Sequence, residues 1–147
     1  MDFVVKKFNS LYVNDLYEIL QIRSEIFVIE QNCIYQDIDN KDKKALHIIG
    51  RKNDKIAAYA RVFDSGVLFD TPSISRLLVV KAERGHGYGN SLLNTAISAV
   101  YNNFKNKNIS ISAQFYLIEF YISHGFKTVG KQYLEDGLKH IKMIKQI

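Results

Sequence analysis

The stretch RLLVVKAERGHGYGNSLL, residues 76–93, runs from an apolar segment through Gly85, Gly87 and Gly89 into the start of an amphipathic helix. Glycine is the poorest helix former after proline, worse than alanine by roughly 1 kcal/mol in a helix interior. A helix that opens on glycines gives up local stability and gains access to its backbone. The first N–H groups of a helix have no partner within it, and the macrodipole makes that end positive. With no Cβ atoms in the way, an anion can reach those groups. Strand, glycine turn and helix in this order predict an α/β arrangement with an anion cradle at the end of a strand.

The spacing decides which cradle. A phosphate-binding G-x-x-x-x-G-K-[ST] starting at Gly85 would need glycine at Asn90 and lysine at Ser91. A dinucleotide-binding G-x-G-x-x-G fails as well, because Asn90 or Leu92 stands where its third glycine belongs. The pattern that is met is R-x-x-G-x-G, on Arg84, Gly87 and Gly89.

Periodicity predicts the elements around it. Residues 2–8 alternate as a strand, and Leu16, Ile19, Leu20, Ile26 and Phe27 follow helical spacing from a cap at Asn14 or Asp15. Residues 32–45 form a polar loop. Strands are expected at 46–52 and 55–63 around the turn KND, and at 74–80. Leu92, Leu93, Ala96, Ile97, Val100 and Phe104 mark the helix after the glycines. A strand at 109–113, a helix at 115–124 and strands at 126–133 and 139–146 around EDGLK complete the chain. The order β-α-β-β-β-α-β-α-β-β predicts a mixed α/β sheet flanked by helices, in one domain over residues 1–147.

Composition narrows the function classes. The 147 residues are 47% hydrophobic and 24% charged, the balance of a globular chain rather than a disordered one. No apolar run approaches the roughly 20 residues of a membrane span, and MDFVVKKF lacks the shape of a signal peptide. A single cysteine, Cys33, excludes an intrachain disulfide, so a cytoplasmic location is expected. The net charge of +5 suits an anionic ligand. The lysines are scattered rather than arranged in a track, and no nucleic-acid or membrane partner is expected.

The strand RLLVV followed by R-x-x-G-x-G resembles the acetyl-CoA site of the GNAT superfamily of N-acetyltransferases. Two further segments are similar to its ElaA-like branch. FVIEQNCIYQDID, residues 27–39, matches that branch's F-V-x-E-Q-x-x-x-Y-x-D-x-D, and residues 120–143 match its F-Y-x-x-x-G-F and E-D-G-x-x-H-x-x-M. The resemblance implies a GNAT-like fold and acetyl-CoA as cosubstrate, with no metal. It implies that Leu78, Val79 and Val80 offer a strand edge to the pantetheine arm. Arg84, Gly85, His86, Gly87, Tyr88, Gly89 and Asn90 would then hold the pyrophosphate. The implied reaction is acetyl transfer to a primary amine, with a small molecule as the acceptor, by direct attack in a ternary complex. The alternative is a CoA-binding sensor of the same fold without turnover.

Such a transfer needs a neutral amine, donors for the oxyanion and a proton for the leaving thiolate. By resemblance Tyr121 is the general acid, and the Val79 N–H donates to the thioester carbonyl. The other reading of Tyr121 is a core tyrosine beside Phe120. Candidate general bases are His140, Glu30 and His47, and His47 also reads as structural. Arg23 and Arg76 interrupt apolar patterns. They either line the acceptor cleft and bind an anionic group, or pair internally with Asp37, Asp39 or Glu30. Cys33 reads as a small buried apolar residue. The free edge of the final strand pair leaves room for a homodimer.

Overall fold

The computed structural model describes residues 1–147. Seven strands form one sheet: β1 (Asp2–Lys7), β2 (Leu46–Lys52), β3 (Lys55–Phe63), β4 (Ser73–Val79), β5 (Ile109–Gln114), β6 (Lys127–Glu135) and β7 (Leu138–Lys145). Three α-helices connect them: α1 (Val13–Arg23), α2 (Tyr88–Asn103) and α3 (Ile118–Ile122). The strand order is β1-β2-β3-β4-β5-β7-β6, and the expected mixed α/β sheet and element order are both present. No helix is long and apolar enough to cross a membrane.

Tight turns set the register of both hairpins. Asn53 and Asp54 connect β2 to β3 with φ of 52° and 63°, and Asp136 and Gly137 connect β6 to β7 with φ of 51° and 79°. Successive left-handed residues make a two-residue turn whose twist suits a hairpin, and Asn, Asp and Gly tolerate that region best.

Hydrophobic residues on the two faces of the sheet meet different helices. On one face Leu92, Leu93, Ala96 and Val100 of α2 pack against Ala58, Ala60, Val62, Ile111 and Ala113. On the other, Ile19, Ile22, Ile26 and Phe27 pack against Ile49, Tyr59 and Leu78. That second stripe outlasts α1 because the helix continues as π turns over Ser24–Glu30, where Gln31 N–H donates to Ile26 O and Cys33 N–H to Val28 O. The cap differs from expectation: Tyr12 is the N-cap of α1 and Asp15 lies in the first turn, where a carboxylate complements the dipole. The segment expected as a helix over 115–124 is a 3-10 turn, Phe115–Leu117, leading into the short α3.

The sheet is interrupted at one place. β4 and β5 are parallel and pair only at Ser73 and Ser110, whereas every other neighbouring pair is antiparallel. Beyond Ser110 the two strands diverge. A bulge in β4 accompanies the divergence: its register against β3 shifts, and Arg76 has φ of 54°, which is rare for a residue with a Cβ.

Candidate active site

Beside the gap between β4 and β5 lies a cleft of about 880 Å³, lined by residues from both faces of the sheet. Leu77, Leu78, Val79, Arg84 and Gly89 line one part, with Leu117, Phe120 and Tyr121 beside them. Tyr35, Asp39, Arg61, Arg76, Ser112, Tyr133, Glu135 and His140 line the opposite part. Strand alternation explains the division. Ile111 and Ala113 of β5 point into the α2 core, so Ser112 and Gln114 point to the other face, together with their partners on β7.

At the end of β4 the free edge is narrower than expected. The Val80 N–H donates to Ala57 O at 2.9 Å, across β3, so Val80 is not part of the edge facing the gap. Backbone groups of adjacent strand residues alternate in direction, which turns those of Val79 toward the gap. The Val79 carbonyl is found there, accepting from Arg84 Nε at 2.9 Å. Arg84 also donates to Glu30 Oε2 at 2.7 Å, which brings the end of the first helical segment to the rim of the cleft.

The glycine turn ends on Gly87, the N-cap of α2, at φ of 78°, and no side chain caps the helix. Gly85 and Gly87 both have positive φ, and a Cβ at either would meet no atom within 4 Å. Conformation rather than crowding requires these glycines. Gly89 differs: its φ is ordinary, and a Cβ there would lie 3.8 Å from the Phe120 ring. Arg84, Gly85, His86, Gly87 and Asn90 are exposed and Tyr88 and Gly89 half-buried, leaving the first-turn N–H groups open to an anion.

Tyr121 satisfies parts of both of its readings. Its ring is packed in the core edge-on to Phe120 and Phe126, at 5.2 and 5.7 Å between centroids, yet it also lines the cleft. Burial pushes its phenol pKa up, with Tyr116 a smaller cause, so the hydroxyl stays protonated.

The polar loop after α1 closes the far side of the cleft through buried ion pairs. Arg23 has no exposed surface; its Nε donates to Asp37 at 2.9 Å and its Nη1 to Asp42 at 2.6 Å. A substrate role for Arg23 is therefore corrected: it is an internal tie, and removing one partner of such a pair costs about 3–5 kcal/mol. Arg61 grips both oxygens of Asp39, at 2.8 and 3.0 Å, and reaches Asp42 at 3.1 Å. Burial by itself would raise the Asp39 pKa, but the hydrogen bond and charge of Arg61 outweigh it and hold it at about 2. Arg76 pairs with Asp37 at 2.6 Å and also lines the cleft, so the internal and cleft readings both apply to it. Arg61 and Asp42 escape the sequence reading. The available signal was an arginine in the otherwise apolar IAAYARVF, since arginine is rarely buried without a partner.

Of the candidate bases, His47 lies outside the cleft. It is wholly buried, with Nδ1 2.6 Å from Tyr59 Oη and Nε2 2.9 Å from Asp42 O. A neutral ring that accepts from tyrosine and donates to the carbonyl satisfies both contacts, and burial pushes its pKa down. His140 and Glu30 both line the cleft. His140 is buried on β7, with Nδ1 2.8 Å from Leu138 O and Nε2 3.3 Å from Glu135. Cys33 is buried with its sulfur 3.2 Å from Asp136 O, joining the loop to the β6–β7 turn. Gln31 and Gln114 make a second tie by exchanging amide hydrogen bonds at 3.3 and 3.0 Å.

Comparison with known proteins agrees with this layout. The model of the Acetyltransferase (GNAT) domain matches residues 18–147. Protein ElaA of Escherichia coli K12 is 39% identical over 141 residues, covering 95% of this chain and 92% of that protein. A UPF0039 protein of Synechocystis is 38% identical over 143 residues, covering 97% and 93%. Among solved structures, Escherichia coli ElaA superposes with a TM-score of 0.92 at 37% identity, covering 99% of both chains. An acyl-CoA N-acyltransferase from Pseudomonas aeruginosa superposes with 0.91 at 32% identity, again covering 99% of both. With the strand gap, the glycine turn and the two signature segments all in place, the chain belongs to the GNAT acetyltransferase family, in its ElaA-like branch, and is an acyltransferase.

Proposed function

We propose that the protein transfers the acetyl group of acetyl-CoA to a primary amine of a small molecule, by direct attack within a ternary complex. The observation that carries this reading is the gap between β4 and β5, which joins an open helix N-terminus on one side to a polar chamber on the other. The α2 first turn, with Gly85, Gly87 and Gly89 before and within it, would take the pyrophosphate. Val79 would present its N–H to the thioester carbonyl, as a donor aimed at the developing oxyanion. Leu77 and Leu78 would flank the arm as apolar wall.

The two substrates react across the gap, so no covalent enzyme intermediate is needed. A base removes a proton from the ammonium, the amine nitrogen attacks the thioester carbon, and the C–S bond breaks as the oxyanion collapses. Tyr121 donates to the departing sulfur. A phenol raised above its usual value near 10 is a weaker acid than a thiol near 8.5, so its main contribution is the hydrogen bond to the thiolate. His140 is the better placed base. Its Nδ1–H is committed to Leu138 O, which leaves the Nε2 lone pair for the substrate. Arg76, in the chamber wall with its charge balanced by Asp37, would orient a polar group of the acceptor.

The test is release of free CoA, followed with a disulfide thiol reagent, over a panel of primary amines, alongside calorimetric titration of acetyl-CoA. Amine-dependent CoA release supports transfer. Tight acetyl-CoA binding with no release for any amine would favour a sensor of the same fold.

A further inference from the structure

On the acceptor face, side chains from three neighbouring strands close a ring: Ser112 of β5, Tyr133 and Glu135 of β6, and His140 of β7. The Tyr133 ring stacks on the His140 imidazole at 6.2 Å and 21°. Tyr133 Oη and Ser112 Oγ share a hydrogen bond, and Ser112 Oγ donates to Glu135 Oε2 at 3.3 Å. The same carboxylate oxygen lies 3.3 Å from His140 Nε2.

The ring has one mismatch. Because Nδ1–H is donated to Leu138 O, a neutral His140 directs its lone pair at the Glu135 carboxylate, so two acceptors face each other. No lysine or arginine pairs with Glu135, whereas Asp39 on the opposite wall is held by Arg61 and Glu30 by Arg84. The Glu135 side chain is half exposed and lines the cleft, while that of His140 is 8% exposed. With the imidazole neutral, nothing in the ring offers these two acceptors a shared proton, and a cation entering the cleft beside the half-exposed Glu135 would do so.

We propose that Glu135 binds the acceptor as its ammonium ion, bridged between the carboxylate and His140 Nε2. This rests on the acetyl-transfer reading of the same cleft. An aliphatic primary amine is almost wholly ammonium at pH 7, as a lysine side chain is. The carboxylate accepts one N–H of that ion, and a second N–H points at Nε2. One N–H bond then breaks, its proton goes to Nε2, and the freed electron pair attacks the thioester carbon. Glu135 faces one positive charge before the transfer, on nitrogen, and one after it, on imidazolium. Its interaction with the proton is therefore kept through the step instead of being lost. The acceptor class that follows is aliphatic primary amines. Arylamines are neutral at pH 7 and offer the carboxylate no charge.

The register puts the pair where the reaction needs it. Ser73 stands beside Ser110 and the strands run parallel, so Gln114 is level with the part of β4 just past its bulge, and His140 is the β7 partner of Gln114.

The experiment uses n-butylammonium as the probe cation and aniline as the neutral amine, each titrated calorimetrically into CoA-saturated protein. Wild type, Glu135→Gln and Glu135→Asp are compared, with the KM for n-butylamine measured by CoA release. The expected result is at least a tenfold loss of n-butylammonium affinity in Glu135→Gln and a matching rise in KM. The change in kcat is smaller, recovery in Glu135→Asp is partial, and acetyl-CoA affinity and Tm stay constant. Aniline should bind the wild type and Glu135→Gln alike. Equal n-butylammonium affinity in the two, or no binding of it by the wild type, overturns the proposal. If binding is lost in Glu135→Gln but the wild type gives no CoA release from acetyl-CoA with any amine, the transfer reading fails and the ammonium site stands.

Discussion

Arg84 Nε donates to the Val79 carbonyl at 2.9 Å, across the very edge of β4 that a pantetheine arm would use. The same guanidinium holds Glu30 at 2.7 Å. One side chain thus links the strand edge, the glycine turn and one candidate base. On the proposed reading, a cofactor phosphate arriving at the turn would compete with Glu30 for Arg84, so this ion pair would be coupled to cofactor binding.

That coupling has a measurable size. The Arg84–Glu30 pair is partly exposed, with side chains 43% and 34% accessible, so it falls among ion pairs worth about 0.2–1 kcal/mol. Glu30→Gln removes the competition and is expected to tighten acetyl-CoA binding by about 1.4- to 5-fold in calorimetric titration, less so at high salt. The same variant separates the two candidate bases. An unchanged kcat leaves His140 as the base; a fall of 100-fold or more assigns the role to Glu30.

Gly87 and Gly89 are expected to respond oppositely to alanine. At Gly87 a Cβ meets open space but the backbone has φ of 78°, so Gly87→Ala should destabilise the fold by about 1 kcal/mol and weaken acetyl-CoA binding. At Gly89 the backbone is helical and the new methyl would rest 3.8 Å from the Phe120 ring. Gly89→Ala should raise stability by about 0.5–1 kcal/mol, with a smaller loss of acetyl-CoA affinity than Gly87→Ala. Gly87→Glu, which adds a negative charge to the cradle, should abolish binding. Unaltered affinity in Gly87→Glu would place the phosphates elsewhere.

These contrasts also show what could be read from the sequence. Local signals carried the fold: the turn residues Asn53–Asp54 and Asp136–Gly137, the 3.6-residue stripes and the glycine turn are each specified within a few neighbours. The segment proposed for the donor side was legible as structure for the same reason, being one continuous strand–turn–helix run. The acceptor side was not. Arg61 meets Asp39 and Asp42 across about twenty residues, and Ser112 meets Tyr133 and Glu135 across a similar span. Those partners are set by strand order and register, which periodicity does not fix. The π turns of Ser24–Glu30, which set where Glu30 projects, have no pattern separating them from an α-helix in the sequence.

Acid should loosen the loop network in two stages. His47 is buried neutral, and its folded pKa is below the ordinary 6.5 because burial disfavours the cation. Its contribution to stability is present above pH 6.5 and is lost as pH falls through the lower folded value. Asp39 contributes in the same direction, from its ordinary 3.8 down to about 2. The urea midpoint should therefore fall between pH 7 and pH 5, and the fall should be smaller in His47→Gln, each protein being compared with its own value at pH 7. An equal fall in both would remove His47 as the sensitive group.

Tyr121→Phe tests the leaving-group side. The hydroxyl is buried in the cleft wall, and no side-chain hydrogen bond contributes to its raised pKa. The ring contacts with Phe120 and Phe126 are retained by phenylalanine. The variant should therefore keep its Tm within about 2 °C, since a volume-conserving swap that breaks no internal hydrogen bond costs little. If the hydroxyl donates to the departing sulfur, its contribution exists mainly in the transition state, and kcat should fall by about 10- to 100-fold while the KM for acetyl-CoA moves less. A kcat equal to wild type, measured where chemistry limits turnover, would return Tyr121 to a packing role. Because burial raises the phenol pKa, Tyr121→Phe should lower the pH–rate profile without shifting its shape.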